Sequence, residues 1–414
     1  MRETDKSFVG VRQKRESWSF SSSFKRTLAL IKNLQMSIRG IKSLIAGLLG
    51  SSLNIPGGAE FVSVNIIRAL KEHGYKVVFL SNEKMNHEKI KKYYGKTVNV
   101  DKEIVFPEFF HPYDKYGVYI TTLKTAVLKI KCDIVIDNLS STILPSADIS
   151  YIHFPSFAPK ILMSHVPFIG RLYFLPYCSL LEKVATDIRK TPTQKIIFAN
   201  SKFTAQAIKK ELGVQAKVLY PPVSTIYQNE EQNINKNRKD IVVTISRFSK
   251  GKNLEIIPKI AKATNENVHF IIAGGYQSER VLHSITKLTK ELKLTKRVKM
   301  LVNLPKNKLV EALLNSKVYL HTKESEHFGI SIVEAMSAGC APVVHNSGGP
   351  KEFVPSQLRY ESIQEAAEII EKAIHDWSPE CAKEMIAIAN GFNEEKFVKN
   401  FLKVVVPFIE ELKS

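Results

Sequence analysis

The sequence predicts an α/β protein built from two doubly wound parallel-sheet domains facing a cleft. Three observations carry this. From residue 43 onward, short apolar runs alternate with amphipathic helical stretches. The alternation breaks once, at a segment rich in Asn, Gln, Glu and Lys over residues 224–239, and then restarts. The length of 414 residues exceeds one ordinary core and fits two domains of about 150–200 residues. Sheets of this kind hold ligands beyond the C-terminal edges of their strands.

In the first half, residues 43–50 read as a buried strand. Gly57-Gly58-Ala59-Glu60 is a turn opening a helix with Phe61, Val64, Ile67 and Leu70 inward; Gly74 ends it. Strands follow at 75–81, 132–137, 149–154 and 195–199, then a helix at 203–212 and a strand at 216–220. The second half reads as strand 240–246, helix 254–264, strand 268–273, helix 278–292, strand 297–302, helix 306–315 and strand 317–321. A loop, a helix starting near Phe328 and a short strand at 342–344 come next, and helices at about 362–376, 379–390 and 394–412 close the chain. The expected division is a leader at 1–42, a first domain at 43–225 and a linker at 226–239. A second domain at 240–376 and helices at 377–414 that cross back to the first complete it.

The apolar fraction of 44% and charged fraction of 24% are those of a globular chain. No run of about 18 uncharged apolar residues predicts a conventional spanning helix. Cys132, Cys178, Cys340 and Cys381 are far apart, which indicates neither a zinc site nor a disulfide framework and fits a reducing compartment. The net charge of +20 implies an anionic partner: nucleic acid, an anionic membrane or a phosphorylated substrate. From Ser17 to Ala59 there is no acid, while Phe24, Leu28, Ile31, Leu34, Ile38 and Ile41 recur at helical steps among Lys25, Arg26, Lys32 and Arg39. This stripe fits two structures: a helix on an anionic membrane surface, or a packed helix or flexible leader. Met36 is an alternative start.

The chemistry concentrates in Glu326-His327-Phe328-Gly329-Ile330-Ser331-Ile332-Val333-Glu334. A loop glutamate and a second one eight positions on, about two turns down a helix, set two carboxylates on one side of a pocket. A carboxylate accepts from two neighbouring hydroxyls at once, and sugars and riboses present such pairs. The plain alternative is two solvated glutamates. The small-residue helix around Glu334 and the Gly348-Gly349-Pro350 loop after the next strand favour the pocket. Arg247 and Lys252 follow the first strand of the second half and precede a helix. A fork donor, a point charge and free amides there make a diphosphate site; solvated surface cations are the alternative. Gly57 and Gly58 allow close backbone approach to the same phosphates from the first half. His153 ends a strand of the first half, at the cleft, where a histidine serves either structure or function.

Together these motifs resemble the retaining glycosyltransferases of family four, with the GT-B fold of two Rossmann-like domains, over residues from about 43 to 412. Within that family, Tyr151-Ile152-His153-Phe154-Pro155, His327-Phe328-Gly329-Ile330 and His345-Asn346-Ser347-Gly348-Gly349-Pro350-Lys351 are similar to the α-1,2-mannosyltransferases that extend the dolichol-linked oligosaccharide on the cytosolic membrane face. The resemblance implies that Glu334 holds the donor ribose. It implies that Glu326, with the backbone of Phe328, Gly329 and Ile330, holds the transferred sugar. Arg247 and Lys252 take the diphosphate, and His153 contacts sugar or acceptor near the reacting carbon. It implies no metal and no cofactor, in keeping with the lack of an Asp-x-Asp motif. The implied donor is GDP-mannose or a UDP-sugar, the acceptor a lipid-linked glycan, and the location the cytoplasmic side of a membrane, peripherally bound.

The segment 161–177 offers either an apolar lip for a lipid acceptor or a buried helix pair. Three other functions compete. Retaining transfer from a UDP- or ADP-sugar to another glycan or lipid fits the same residues. A nucleic-acid binder fits the charge, but the body has no stripe of basic and aromatic residues. A nucleotide-sugar-binding scaffold without activity is disfavoured by the intact Glu326, Glu334, Arg247 and Lys252.

Overall fold

The computed structural model describes residues 44–106, 117–226, 234 and 236–412, and for Ile169 the backbone alone. The basic amphipathic stripe expected within residues 1–42 lies outside them, as does most of the polar linker.

The first half runs β1 (Ile45–Leu49), α1 (Gly58–Glu72), β2 (Lys76–Ser81), α2 (His87–Tyr94), β3 (Lys102–Val105), α3 (Val118–Lys129), β4 (Ile134–Asp137), β5 (Ile149–Ile152), α4 (Pro159–Ser164), α5 (Phe168–Lys190), β6 (Ile196–Ala199), α6 (Lys202–Leu212) and β7 (Lys217–Val218). Among the described residues its strands form one parallel sheet in the order β3-β2-β1-β4-β5-β6-β7. The β1, β4, β5 and β6 segments are buried at every position, as strands covered on both faces must be.

The second half runs β8 (Lys239–Ile245), α7 (Ile257–Ala263), β9 (His269–Gly274), α8 (Glu279–Glu291), β10 (Val298–Val302), α9 (Lys306–Asn315), β11 (Ser316–His321), α10 (Ile330–Ser337), β12 (Ala341–His345), β13 (Arg359–Tyr360), α11 (Ile363–His375), α12 (Pro379–Ala389) and α13 (Glu394–Glu411). Its parallel sheet has the order β10-β9-β8-β11-β12-β13. In both halves the strand order reverses beside the first strand, between β1 and β4 and between β8 and β11. Connections leave in opposite directions there and open a crevice at the C-terminal strand edge.

The helices obey their local signals. Ser201 caps α6 by accepting from the Thr204 amide at 3.0 Å, and Gly213 closes it in the left-handed conformation. α12 joins the core of the second half through Met385 and Ala389. α13 instead joins the core under the first sheet, where Phe397, Phe401 and Val405 pack with residues of α1 and β5. The chain thus passes between the halves twice. The two passages lie side by side: the Val223 amide donates to the Phe392 carbonyl at 2.9 Å, and Val223 bridges Asn393.

Two expected helix starts are corrected. The helix placed near Phe328 begins at Ile330, with Gly329 before it at φ +95°. Phe328 is pulled into the core, 2% exposed, against Tyr220, Phe353 and Phe392. The helix placed at 254–264 starts as 3₁₀ turns at Lys250–Lys252 and Leu254–Ile256, and α7 begins only at Ile257. Asn253 in the left-handed region separates the two turns, and Pro258 suits the first turn of α7. No α-helix N-terminus therefore lies beside Lys252. Among the described residues no helix is long and apolar enough to cross a membrane.

Candidate functional site

Glu326 lies in the loop between β11 and α10, 8% exposed, and collects positive charge. Its Oε2 is 3.0 Å from Lys252 Nζ and 3.3 Å from His321 Nε2; its Oε1 is 3.2 Å from Lys323 Nζ and accepts from the His327 amide at 3.0 Å. Burial works to raise its acid, but His321 and the two ammonium groups outweigh it and hold the carboxyl well below the usual range. Burial lowers the His321 ring, and its contact with Glu326 works the other way. Lys252 is fixed from behind, because Thr322 Oγ1 donates to its carbonyl at 2.8 Å. The lysine expected at a diphosphate and the glutamate expected at a sugar are thus one ion pair.

The loop after β12 holds this arrangement in place. The Gly349 amide donates to the Glu326 carbonyl at 2.8 Å. A Cβ on Gly348, which has φ +76°, would sit 2.3 Å from that carbonyl oxygen, and one on Gly349 2.1 Å from the His327 carbonyl oxygen. Only glycines let the two loops come so close.

Glu334 lies on α10, and burial pushes its carboxyl up to about 7, with Lys306 pulling weakly the other way. Tyr319 lies near both glutamates: burial raises its phenol, and the charges of Glu334 and Glu326 raise it further. Its hydroxyl donates to Ser331 on the first turn of α10 at 2.8 Å. Two carboxylates of opposite character therefore flank one buried tyrosine, Glu326 firmly ionised and Glu334 poised near neutrality.

From the first half, His153 follows β5 directly. The Asn138 amide nitrogen donates to the Ala59 carbonyl and to Ser63 Oγ, both at 2.8 Å. Asn138 Oδ1 is left facing His153 Nε2 at 3.0 Å, so Nε2 carries the proton. Burial, then the neighbouring His327, lowers His153 to about 4. It is a neutral imidazole at physiological pH, a hydrogen-bond donor rather than a cation. Phe154 stacks on His327 with centroids 4.1 Å apart and planes 6° from parallel. Gly58 meets α10: a Cβ there would fall 2.4 Å from Ile330 Cδ1. The His153–Phe154 turn and Gly58 of the first half thus meet the segment from His327 to Ile330 of the second.

Gly57 is extended rather than left-handed, and Glu60 arches over it, where Ser51 Oγ donates to Glu60 Oε1 at 2.6 Å. Arg247 is exposed after β8 and makes no ion pair among the described residues. Sequence patterns singled out neither the cluster partners His321 and Lys323 nor Asn138, and His327 stood in its motif without a role of its own. Lys323 three residues before Glu326 was a readable signal; Asn138 had none. Nor did they single out Glu352, whose carboxylate accepts from the Lys202 and Phe203 amides and from the Tyr220 hydroxyl, each at 2.9 Å. Among the described residues no cluster of three His, Cys, Asp or Glu is arranged to hold a metal.

The model of the family "Glycosyl transferases group 1" matches residues 226–392, which carry Arg247, Lys252, Glu326 and Glu334. Residues 226–392 are a group 1 glycosyltransferase domain. The chain is 29% identical over 245 residues to the GDP-Man:Man(3)GlcNAc(2)-PP-Dol alpha-1,2-mannosyltransferase of Dictyostelium discoideum, covering 52% of this chain and 48% of that one. It is 29% identical to the human alpha-1,3/1,6-mannosyltransferase ALG2 over 49% of this chain and 52% of that one. The match thus spans about half the length of these two relatives. With the Dictyostelium discoideum alpha-1,3/1,6-mannosyltransferase ALG2 it is 26% identical over 82% of this chain and 91% of that one. Among solved structures, Anabaena HepE in complex with UDP and glucose superposes with a TM-score of 0.63 at 18% identity, over 88% of this chain and 100% of that one. The lipopolysaccharide glycosyltransferase WaaG gives 0.63 at 13% identity, over 87% and 99%. The fold is GT-B, with the group 1 domain as its second half.

Proposed function

We propose that this chain is a retaining, metal-independent hexosyltransferase that moves mannose from GDP-mannose onto a lipid-linked glycan, working peripherally at the cytoplasmic side of a membrane. The observation that carries it is the Lys252–Glu326 pair at 3.0 Å, whose loop continues into His327, stacked on Phe154 next to the neutral His153. The names of the relatives support mannose and a dolichol-linked acceptor.

In the reaction the bond from the anomeric carbon to the diphosphate oxygen breaks and a new one forms to an acceptor hydroxyl oxygen. The proton of that hydroxyl passes to the departing phosphate on the same face. Charge develops on the diphosphate and on the ring, so electrostatic stabilisation dominates. Lys252 and Arg247 meet the diphosphate. When Lys252 turns to phosphate, Glu326 keeps Lys323 and stays ionised beside the sugar hydroxyls and the positive ring. Glu334 accepts from the ribose hydroxyls. Phe328, Gly329 and Ile330 contribute backbone; Gly58 seats Ile330, and Gly57 meets phosphate once Glu60 swings from over it. His153 donates a neutral hydrogen bond near the anomeric carbon.

A donor screen by nucleotide release tests this, with GDP-mannose, UDP-glucose and UDP-GlcNAc against a polyprenyl-diphosphate glycan. GDP-mannose should give the highest kcat/KM, and turnover should survive excess EDTA, since two side-chain cations meet the diphosphate. Preference for a UDP-sugar would replace the donor assignment. Loss with EDTA restored by Mg²⁺ would overturn the metal-independent one.

The value of about 7 for Glu334 makes a further test. Ribose hydroxyls donate to a carboxylate, so binding favours the ionised form. Affinity for GDP should rise with pH below about 7, by at most about tenfold per pH unit, and level off above. Stability runs the other way. The folded acid is raised, so its contribution is full below the ordinary carboxyl range and is lost as pH rises through about 7. The GDP phosphate titrates in the same region, and the comparison with Glu334→Gln isolates the protein's share. Identical pH profiles in the two proteins would refute the ribose assignment.

A further inference from the structure

α4 and α5 follow directly from the His153–Pro155 turn, and their outer surface is unusual. Phe168 is 81% exposed, Leu172 68%, Tyr173 48% and Leu175 52%. Phe168, Leu172 and Leu175 recur at steps of four and three and share one face of α5, while Tyr173 is turned towards α3. The buried face of the same helix is complete without them, since Phe174, Tyr177 and Leu181 fill the core beneath. Tyr119 of α3 joins the patch edgewise, 5.2 Å from the Tyr173 ring, and donates its hydroxyl to the Tyr173 carbonyl. Leu123, one turn further along α3, is 41% exposed. An isolated exposed leucine needs no explanation, but a contiguous run on one surface marks an interaction site.

Charge selects the partner. From Ile149 to Leu181 the chain has no Asp or Glu, and from Gly117 to Cys132 it has none. Lys160 and Arg171 are exposed among the apolar groups. An apolar patch rimmed by cations and free of acids suits an anionic lipid surface, where apolar side chains enter the headgroup boundary and cations meet phosphate. A protein partner with its own acids would need cations in a fixed pattern, whereas a fluid bilayer needs only the sign and the apolar payload.

We propose that the first two turns of α5, with Tyr119 and Leu123 of α3, dock this protein on an anionic phospholipid bilayer through Phe168, Leu172, Tyr173 and Leu175. The inference rests on the proposed lipid-linked acceptor and deepens it. α4 follows the turn that carries His153 and α5 follows α4, so the docking helix is one short helix along the chain from the site.

The test uses the full chain, with Trp18→Phe as reference and Phe168→Trp added to it. On vesicles of phosphatidylcholine with phosphatidylserine, the added indole should emit at shorter wavelength and be quenched by brominated lipid. Phe168→Glu and Leu172→Glu should each lower vesicle partition by about tenfold, as loss of one buried apolar side chain implies. Affinity for GDP in solution should not change, which shows the variants fold. An indole that stays in water while the protein sediments, or glutamate variants that sediment as the parent does, would overturn the proposal. So would loss of self-association in Phe168→Glu with unchanged vesicle binding, which would make the patch an interface between copies. Failure of the donor screen with vesicle binding intact would strike the enzyme assignment and leave the docking surface standing.

Discussion

Lys252→Ala should lower turnover at saturating GDP-mannose by about 10²-fold or more, as loss of one preorganised electrostatic contact does. Two unit charges 4 Å apart attract by roughly 4 kcal/mol at an effective dielectric near 20, against about 1 in water. The crevice supplies the lower dielectric, and Thr322 holds the lysine backbone in position. Arg247→Ala should show a loss of the same order. Arg247 is exposed and unpaired with any described acid, so its removal breaks no ion pair among the described residues; Lys252 also restrains Glu326. Stopped-flow or steady-state nucleotide release measures both. Near wild-type turnover in both single variants would end the diphosphate assignment.

Glu326→Ala should separate transfer from nucleotide binding. Its loss leaves Lys252 and Lys323 without their shared carboxylate, so GDP should bind at least as tightly as in the parent while transfer falls by about 10²-fold. Glu334→Ala should do the reverse and weaken GDP binding, because that carboxylate is assigned to the ribose. Calorimetry with GDP and a transfer assay decide the matter together. Equal loss of GDP affinity in both variants would contradict the division of roles.

The parallel sheets were legible because buried parallel strands read as continuous apolar runs, and β1, β4, β5 and β6 are such runs. The helix starts were less so. Near Phe328 the apolar period continues through the loop, and only Gly329, which has no Cβ to clash at positive φ, marks the break. At Lys252 a left-handed asparagine replaced the expected helix with 3₁₀ turns, which periodicity cannot distinguish. The two glutamates, Arg247, Lys252 and His153 were readable as residue types at strand ends. What was not readable is pairing: Lys252 with Glu326, Phe154 with His327, Gly58 with Ile330. Those join segments far apart in the chain, and no local pattern encodes such contacts. Nor does composition separate two glutamates whose surroundings push their acids in opposite directions.

The side-by-side passage of Val223 and Phe392–Asn393 has a mechanical consequence. Two crossings bonded to each other act as one hinge line rather than two separated tethers, so any opening reduces mainly to one angle. The aromatic ring cluster of Tyr220, Phe328, Phe353 and Phe392 sits at that line, where a given rotation displaces atoms least. Glu326 is joined to Phe328 by one residue, so the sugar-side carboxylate rides close to the pivot. The Phe154–His327 stack and the Gly58–Ile330 contact need no covalent change to part, and the two hydrogen bonds from the Lys202 and Phe203 amides to Glu352 are the latch that such a rotation must stretch.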